Sequence, residues 1–345
     1  MTKPAFTLKI NDLDDLLGVV PHLLGFHPTE SLVLVVSESD RVVLTARVNL
    51  CDAAPPGAVE EVLGRVFARF PAAHAWVIAY GSDAAQSWQV LDRCERFLPA
   101  EAVTGVVRVD GQRWWADSPD APPGVYAPSA SPLSQLASRR GLPVRSTRAE
   151  LARLVAADPD VDPVLFAKEE NWMAATAASD RPGLMRQTLA HCQGGDTDDA
   201  LCARLAVLAG DEDARDEALL SMDVDGAAAQ LALWRRVVRR CLPSHQGHVL
   251  GLAGMAAWIA GDGALSVICL ERAEVVNPGL PLVEVLATIN ELMLPPDAWP
   301  DLRRAVISSR GEPVGVGPGS ARPGKRRGKR GRAPQSRLSV RRDAA

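Results

Sequence analysis

The chain has 345 residues, 47 % of them apolar, which is enough for a real core and suits two domains or one long composite. No stretch reaches the roughly 18 consecutive apolar residues of a membrane helix, and the N-terminus lacks the basic and apolar regions of a secretory signal, so a cytoplasmic protein with no membrane partner is expected. The formal net charge of −4 is split: residues 310–345 hold eleven basic and two acidic side chains, or +9, which leaves −13 on residues 1–309.

The first 116 residues alternate between strand and helix patterns. Phe6–Ile10 reads as a short strand, and Asn11 or Asp12 can cap the helix after it. Leu13, Leu16, Leu17, Val20 and Leu24 share one face of that helix. Gly25 suits the left-handed residue that ends it, and Pro28 stops any continuation. Leu32–Val36 is a five-residue apolar run, the mark of a strand covered on both faces. Residues 41–50 alternate, and Ser37-Glu38-Ser39-Asp40 predicts the hairpin that joins the two strands. An amphipathic helix carries Val59, Leu63, Val66 and Phe70, a strand covers 75–80, and a further helix carries Trp88, Leu91, Cys94 and Leu98. Val103–Val109 and Trp114-Trp115 supply the last strands. The order β-α-β-β-α-β-α-β implies a mixed sheet with flanking helices.

Residues 117–145 are rich in Pro, Ser and Gly and read as a connection with little core of its own. Beyond them only helical periodicity appears, in ten segments between 147 and 308. The fold class is therefore α/β (α+β): an α/β domain over 1–116, a connection over 117–145, a helical array over 146–309 and a basic tail over 310–345. Within the array, Gly254, Gly261, Leu270, Ala273 and Pro278 fall at the offsets of one tetratricopeptide unit, with Ser266 at its small position. One unit argues for a local helical hairpin, in which small residues let two helices cross closely.

The six cysteines form no C-x-x-C pair, and most sit at apolar positions, so buried reduced thiols are expected. No phosphate-binding loop, dinucleotide fingerprint, nucleophile elbow or H-E-x-x-H motif is present. No catalytic residue, metal or cofactor is therefore assigned. The polar residues His22, His27, Glu30 and Ser31 gather in one loop, with Arg47 on the polar face of a nearby strand. They could line a ligand pocket where strands and loops meet. Alternatively, Gly25 and Pro28 shape a turn, Ser31 bonds local backbone, and Arg47 is solvated or paired with Glu30. Trp114, Trp115 and Trp258 read as core aromatics.

The string Pro21-His22-Leu23-Leu24-Gly25-Phe26-His27-Pro28-Thr29-Glu30-Ser31-Leu32-Val33 resembles an actinobacterial family, the domain of unknown function 4192. Ala46–Leu50 resembles a second element of that family, with Asn49 where the resemblance leads us to expect aspartate. Asp110–Trp115, Ser146–Leu151, Leu233–Val238 and Ala257–Leu265 extend the resemblance over about residues 6–294. The resemblance implies cysteines after the Arg-Trp-Trp element, whereas residues 116–122 here contain none. It implies no activity.

Two functions stand as expectations. The first is a non-enzymatic scaffold or adaptor that docks a protein partner on its helical half. The second is an enzyme or small-ligand sensor with a pocket near the 21–31 loop. The tail adds a possibility of its own. Arg322, Lys325, Arg326, Arg327, Lys329, Arg330 and Arg332 place seven positive charges in eleven positions, with glycine and proline interleaved and no apolar period, so disorder is expected. Such a segment can lie along nucleic-acid phosphates, without aromatics for base stacking. Deleting residues 310–345 is expected to leave the melting temperature nearly unchanged. It should also remove a weak, sequence-independent affinity for DNA that falls steeply between about 50 and 200 mM salt. A truncated chain that binds DNA as well as the intact one would contradict this assignment.

Overall fold

The computed structural model describes residues 9–39, 41–194 and 197–311. The seven basic positions of the tail and Phe6–Leu8 of the expected first strand lie outside them, and Lys9 and Ile10 carry no regular structure. The first element is α1 (Leu13–Leu24), capped by Asp12, whose Oδ1 accepts from the Asp15 N–H at 2.8 Å. It ends at Gly25, with φ of 76°, in the left-handed conformation that glycine adopts without strain.

The sheet is built from β1 (Ser31–Glu38), β2 (Arg41–Asn49), β3 (His74–Tyr80), β4 (Val103–Val109), β5 (Arg113–Ala116) and β6 (Gly124–Val125). Their spatial order is β2-β1-β3-β4-β5-β6. Only β3 and β4 run parallel, joined across α4 (Ala84–Phe97), and every other neighbour is antiparallel. Two short helices, α2 (Leu50–Ala53) and α3 (Ala58–Arg69), link β2 to β3.

Alternation along the strands separates two cores. Leu32, Leu34 and Val36 of β1, with Ala75, Val77 and Ala79 of β3, face α3 and α4 through Leu63, Val66, Val90 and Leu91. Val33, Val35, Ile78, Tyr80, Val107 and Val109 face the other way, onto α1 and the helical half of the molecule. That second core runs without a break from the sheet through Leu151 and Val155 to Trp234 and Trp258.

Within the Pro/Ser/Gly-rich connection lies a helix, α5 (Pro132–Arg139), that the composition hid. Its N-cap Ser131 accepts from the N–H groups of Leu133 and Ser134, proline occupies the first turn, and Leu133 and Ala137 are buried. Gly18 of α1 is required here, since a Cβ at that position would lie 2.5 Å from Ser131 Cβ.

The helical half comprises α6 (Arg148–Ala152), α7 (Pro163–Ala175), α8 (Arg181–Gly194), α9 (Asp199–Ala209), α10 (Glu212–Leu220), α11 (Ala227–Arg239), α12 (Gln246–Ile259), α13 (Gly263–Val276), α14 (Pro281–Glu291) and α15 (Trp299–Gly311). Every residue of α12 from Val249 to Ile259 is buried, which makes it the axis about which its neighbours pack. The expected hairpin is α12 with α13. Gly254 sits against Cys269 and the Ser266 carbonyl, and a Cβ there would lie 2.4 Å from Leu286 Cδ2 of α14. Trp258 belongs to this core, its indole N–H donating to the Leu294 carbonyl at 2.8 Å.

Replacing Gly25 with valine puts a β-branched residue at φ of 76° and should destabilise the protein by about 1–2 kcal/mol. Gly25→Asn, which tolerates that conformation, should lose clearly less. Chemical denaturation of both variants checks the ordering, and equal stability of Gly25→Val and the parent would contradict it.

Candidate functional site

The loop between α1 and β1 begins at Gly25 and closes at Ser31, where β1 opens beside the carboxyl end of β3, Ser31 lying opposite Tyr80. The parallel pair β3–β4 places its carboxyl ends at this edge, where ligands bind in open α/β sheets. The loop is held there by backbone bonds to the end of the connection. Arg145 N–H donates to the Gly25 carbonyl at 2.8 Å, and His27 N–H donates to the Arg145 carbonyl at 3.0 Å, a one-rung parallel bridge between Phe26 and Arg145.

The five residues singled out from the sequence divide among separate tasks. His22 is buried on α1. The Leu142 carbonyl can only accept, so His22 Nδ1 donates to it at 2.8 Å and Nε2 takes the Ser134 hydroxyl at 2.9 Å. His22 thereby ties α1 to α5 and to the loop after α5. His27 is half-buried, and burial first, then the nearby His22, holds its pKa below the usual histidine range. Glu30 adopts a left-handed φ of 43° and turns its Oε1 to the Ser82 N–H at 2.9 Å, before the first turn of α4. Its own carbonyl accepts from Leu50 N–H.

Ser31 and Arg47 do come together. The Ser31 hydroxyl donates to the Thr29 carbonyl at 2.7 Å, and its oxygen accepts from Arg47 Nε at 2.8 Å. Ser31 is fully buried. Arg47 therefore pairs with Ser31, not with Glu30. Its pKa is lowered, chiefly by burial and next by Arg148, while Glu271 and Asp52 oppose the shift. Arg148 Nη2 donates to both carboxylate oxygens of Glu271 on α13, each at 2.8 Å. In this way the loop edge of the sheet meets α6 and α13. Asn49 donates to Asp52 at 2.6 Å, a bond that an aspartate could not make.

Several of these contacts are invisible in the residue pattern, because Ser134, Leu142 and Arg145 sit in a segment with the composition of plain connection. One signal is present: Thr147-Arg148-Ala149-Glu150 is a capping box. Thr147 Oγ1 accepts from Glu150 N–H and the Glu150 carboxylate reaches back to Ser146 N–H. Trp115 stacks on the buried Arg108, 4.9 Å from guanidinium carbon to ring centroid. Arg108 donates to the Gly81 carbonyl at 3.3 Å, so it braces the same turn that Glu30 caps.

Chemically, the arrangement holds things in place. Burial pushes the thiols of Cys94, Cys241 and Cys269 up to about 12 and Cys202 to about 11, which leaves them protonated and poorly nucleophilic. Among the described residues, no three His, Cys, Asp or Glu side chains gather as metal ligands, and no helix is long and apolar enough to cross a membrane.

A six-stranded mixed sheet joined through one core to a helical half, and sewn at a Gly-Phe-His-Pro loop, defines the class of protein. Residues 14–297 match the family described as Domain of unknown function (DUF4192), and the chain belongs to that family. No curated protein and no solved structure matches it.

Ser31→Ala removes a buried bond to a charged group and should cost about 1–3 kcal/mol, read by chemical denaturation. A second outcome concerns pH. The pKa values of His27, His245 and His248 are all lowered, primarily by burial. At these three sites the unfolded chain takes up protons first, so their contribution to stability falls as pH drops through about 6.5 toward the lower folded values and is constant above that range. Melting temperatures between pH 8 and 5 check this sign.

Proposed function

We propose that this chain is a non-enzymatic cytoplasmic adaptor that docks a protein partner on the outer face of its last helices. One observation carries the reading. On α14, Leu282, Val283, Leu286 and Ile289 fill the core, yet Val285 and the C-cap residue Leu292, seven positions further along, are 49 % and 54 % exposed. Val275 of α13, which packs against α14, is 84 % exposed, and Ile307 of α15 is 50 % exposed. The last unit of a helical stack ordinarily turns a polar face to water, and exposed apolar surface of this kind marks an interaction site. The structural employment of His22, Glu30, Ser31 and Arg47 supports the same reading over an enzyme at the loop. The basic tail would add weak, sequence-independent contact with nucleic acid through its seven clustered charges.

The test is affinity capture from native cells with mass spectrometry, using the intact chain and the double variant Val285→Asp/Leu292→Asp. A protein enriched by the parent and lost with the variant, at unchanged melting temperature, is expected. Identical captures from both, or none from either, would contradict the proposal.

A further inference from the structure

The molecule has a cleft beside α1, none of whose lining residues belongs to α13, α14 or α15. It has a volume of about 240 Å³ and lies between the first turns of α1 and the segment 125–132. Leu17, Val125, Pro128 and Pro132 give it apolar walls, Tyr126 lines it, and Asp14 is the one charged residue among the described residues that line it. The volume exceeds the roughly 150 Å³ of an engineered cavity that takes up benzene, so about ten heavy atoms fit.

The charge at this cleft has one sign. Asp12, Asp14 and Asp15 crowd the start of α1, and among the described residues no basic side chain lines the space. Asp12 is occupied by capping, and Asp15 Oδ2 accepts from Asn11. Asp14 is held differently: the Trp114 indole N–H donates to its Oδ1 at 3.1 Å, which aims the carboxylate, and among the described residues Oδ2 has no partner. Tyr126 gives the lining its one aromatic ring, and Tyr80, behind the lining residues, meets Tyr126 edge to face with ring centroids 5.9 Å apart. Oriented carboxylate, aromatic lining and apolar walls are the complement of an organic cation.

We propose that this cleft binds a small amphiphilic cation, an ammonium or guanidinium group on a short apolar body, with Asp14 as its counter-ion. The cationic head sits against Asp14 Oδ2, and the apolar body lies along Leu17, Val125 and Pro128. A carboxylate of the same shape is repelled by the three aspartates. A neutral alcohol of the same shape gains the apolar contact and loses the charge-assisted bond. The site is independent of the partner surface, so either proposal can fail alone.

The experiment titrates the intact chain with phenethylammonium, 2-phenylethanol and 3-phenylpropionate, following the Trp114 indole N–H resonance by NMR. That proton touches Asp14 and reports the cleft directly. Phenethylammonium is expected to move it saturably, with Kd on the order of 1 mM, the alcohol to bind at least about tenfold more weakly, and the carboxylate not to bind. Asp14→Asn should bring the ammonium down to the level of the alcohol. Ala130→Phe, at an exposed lining position, should abolish both while the melting temperature holds. An ammonium that leaves the Trp114 resonance unmoved, equal binding of the carboxylate, or full ammonium affinity in Asp14→Asn or Ala130→Phe would each overturn the proposal.

Discussion

The structure depends on a short piece of backbone pairing. Gly25 and His27 share both edges of Arg145, and that rung fixes the exit of α1, the entry of β1 and the end of the connection at one place. Each neighbouring polar contact reinforces it. His22 holds α5 and Leu142 from the α1 side, Ser31 holds Arg47 from the β1 side, and Arg148 reaches on to Glu271. Buried polar groups of this kind stabilise modestly when satisfied and destabilise strongly when one partner is removed. The loop therefore couples two layers of structure that would otherwise meet only through apolar contact.

That apolar contact is extensive. α1 lies between the sheet and the rest of the second core, with Leu16, Leu17, Val20 and Leu24 all within 5 % of full burial. Its helical spacing gives it one face for the sheet, and Gly18 brings a second face close to Ser131. One amphipathic helix with a glycine at the right position thus serves both the sheet and the segment leading into α5. The α12 axis plays the matching part in the helical half, where glycines at 247, 251 and 254 admit the side chains of α13, α14 and the turn between them.

Much of this was legible from residue patterns. Alternation over 41–50 and the apolar run at 32–36 marked a hairpin of two strands, the first covered on both faces, and helical periodicity marked the stretch from 147 to 308 in which α6 to α15 lie. Gly25 announced the end of α1 by mechanism and Asn11 or Asp12 its start, and Gly254 with Ser266 announced the hairpin. Misses had physical causes. α5 is only eight residues long inside a Pro/Ser/Gly-rich stretch, where composition speaks for coil and only the Ser131-Pro132 start speaks for helix. β6 has two residues, too few for any period. The site was harder: His22, Glu30 and Arg47 are near in sequence, but their partners Ser134, Ser82 and Ser31 are chosen by tertiary packing. Glu30 in particular sits at a left-handed backbone position and takes the Ser82 N–H as its partner, which no pattern of residue types foretells.

If sheet and helical half share one core clamped at the 25–31 loop, the two must open together. Native-state hydrogen exchange across a denaturant series decides this, by comparing the slowest amides of β1 and β3 with those of α12. A shared core requires that both sets merge at one opening free energy, the global one, with a common dependence on denaturant. Exchange of the α12 amides through a separate opening, several kcal/mol below that of the sheet, would contradict it.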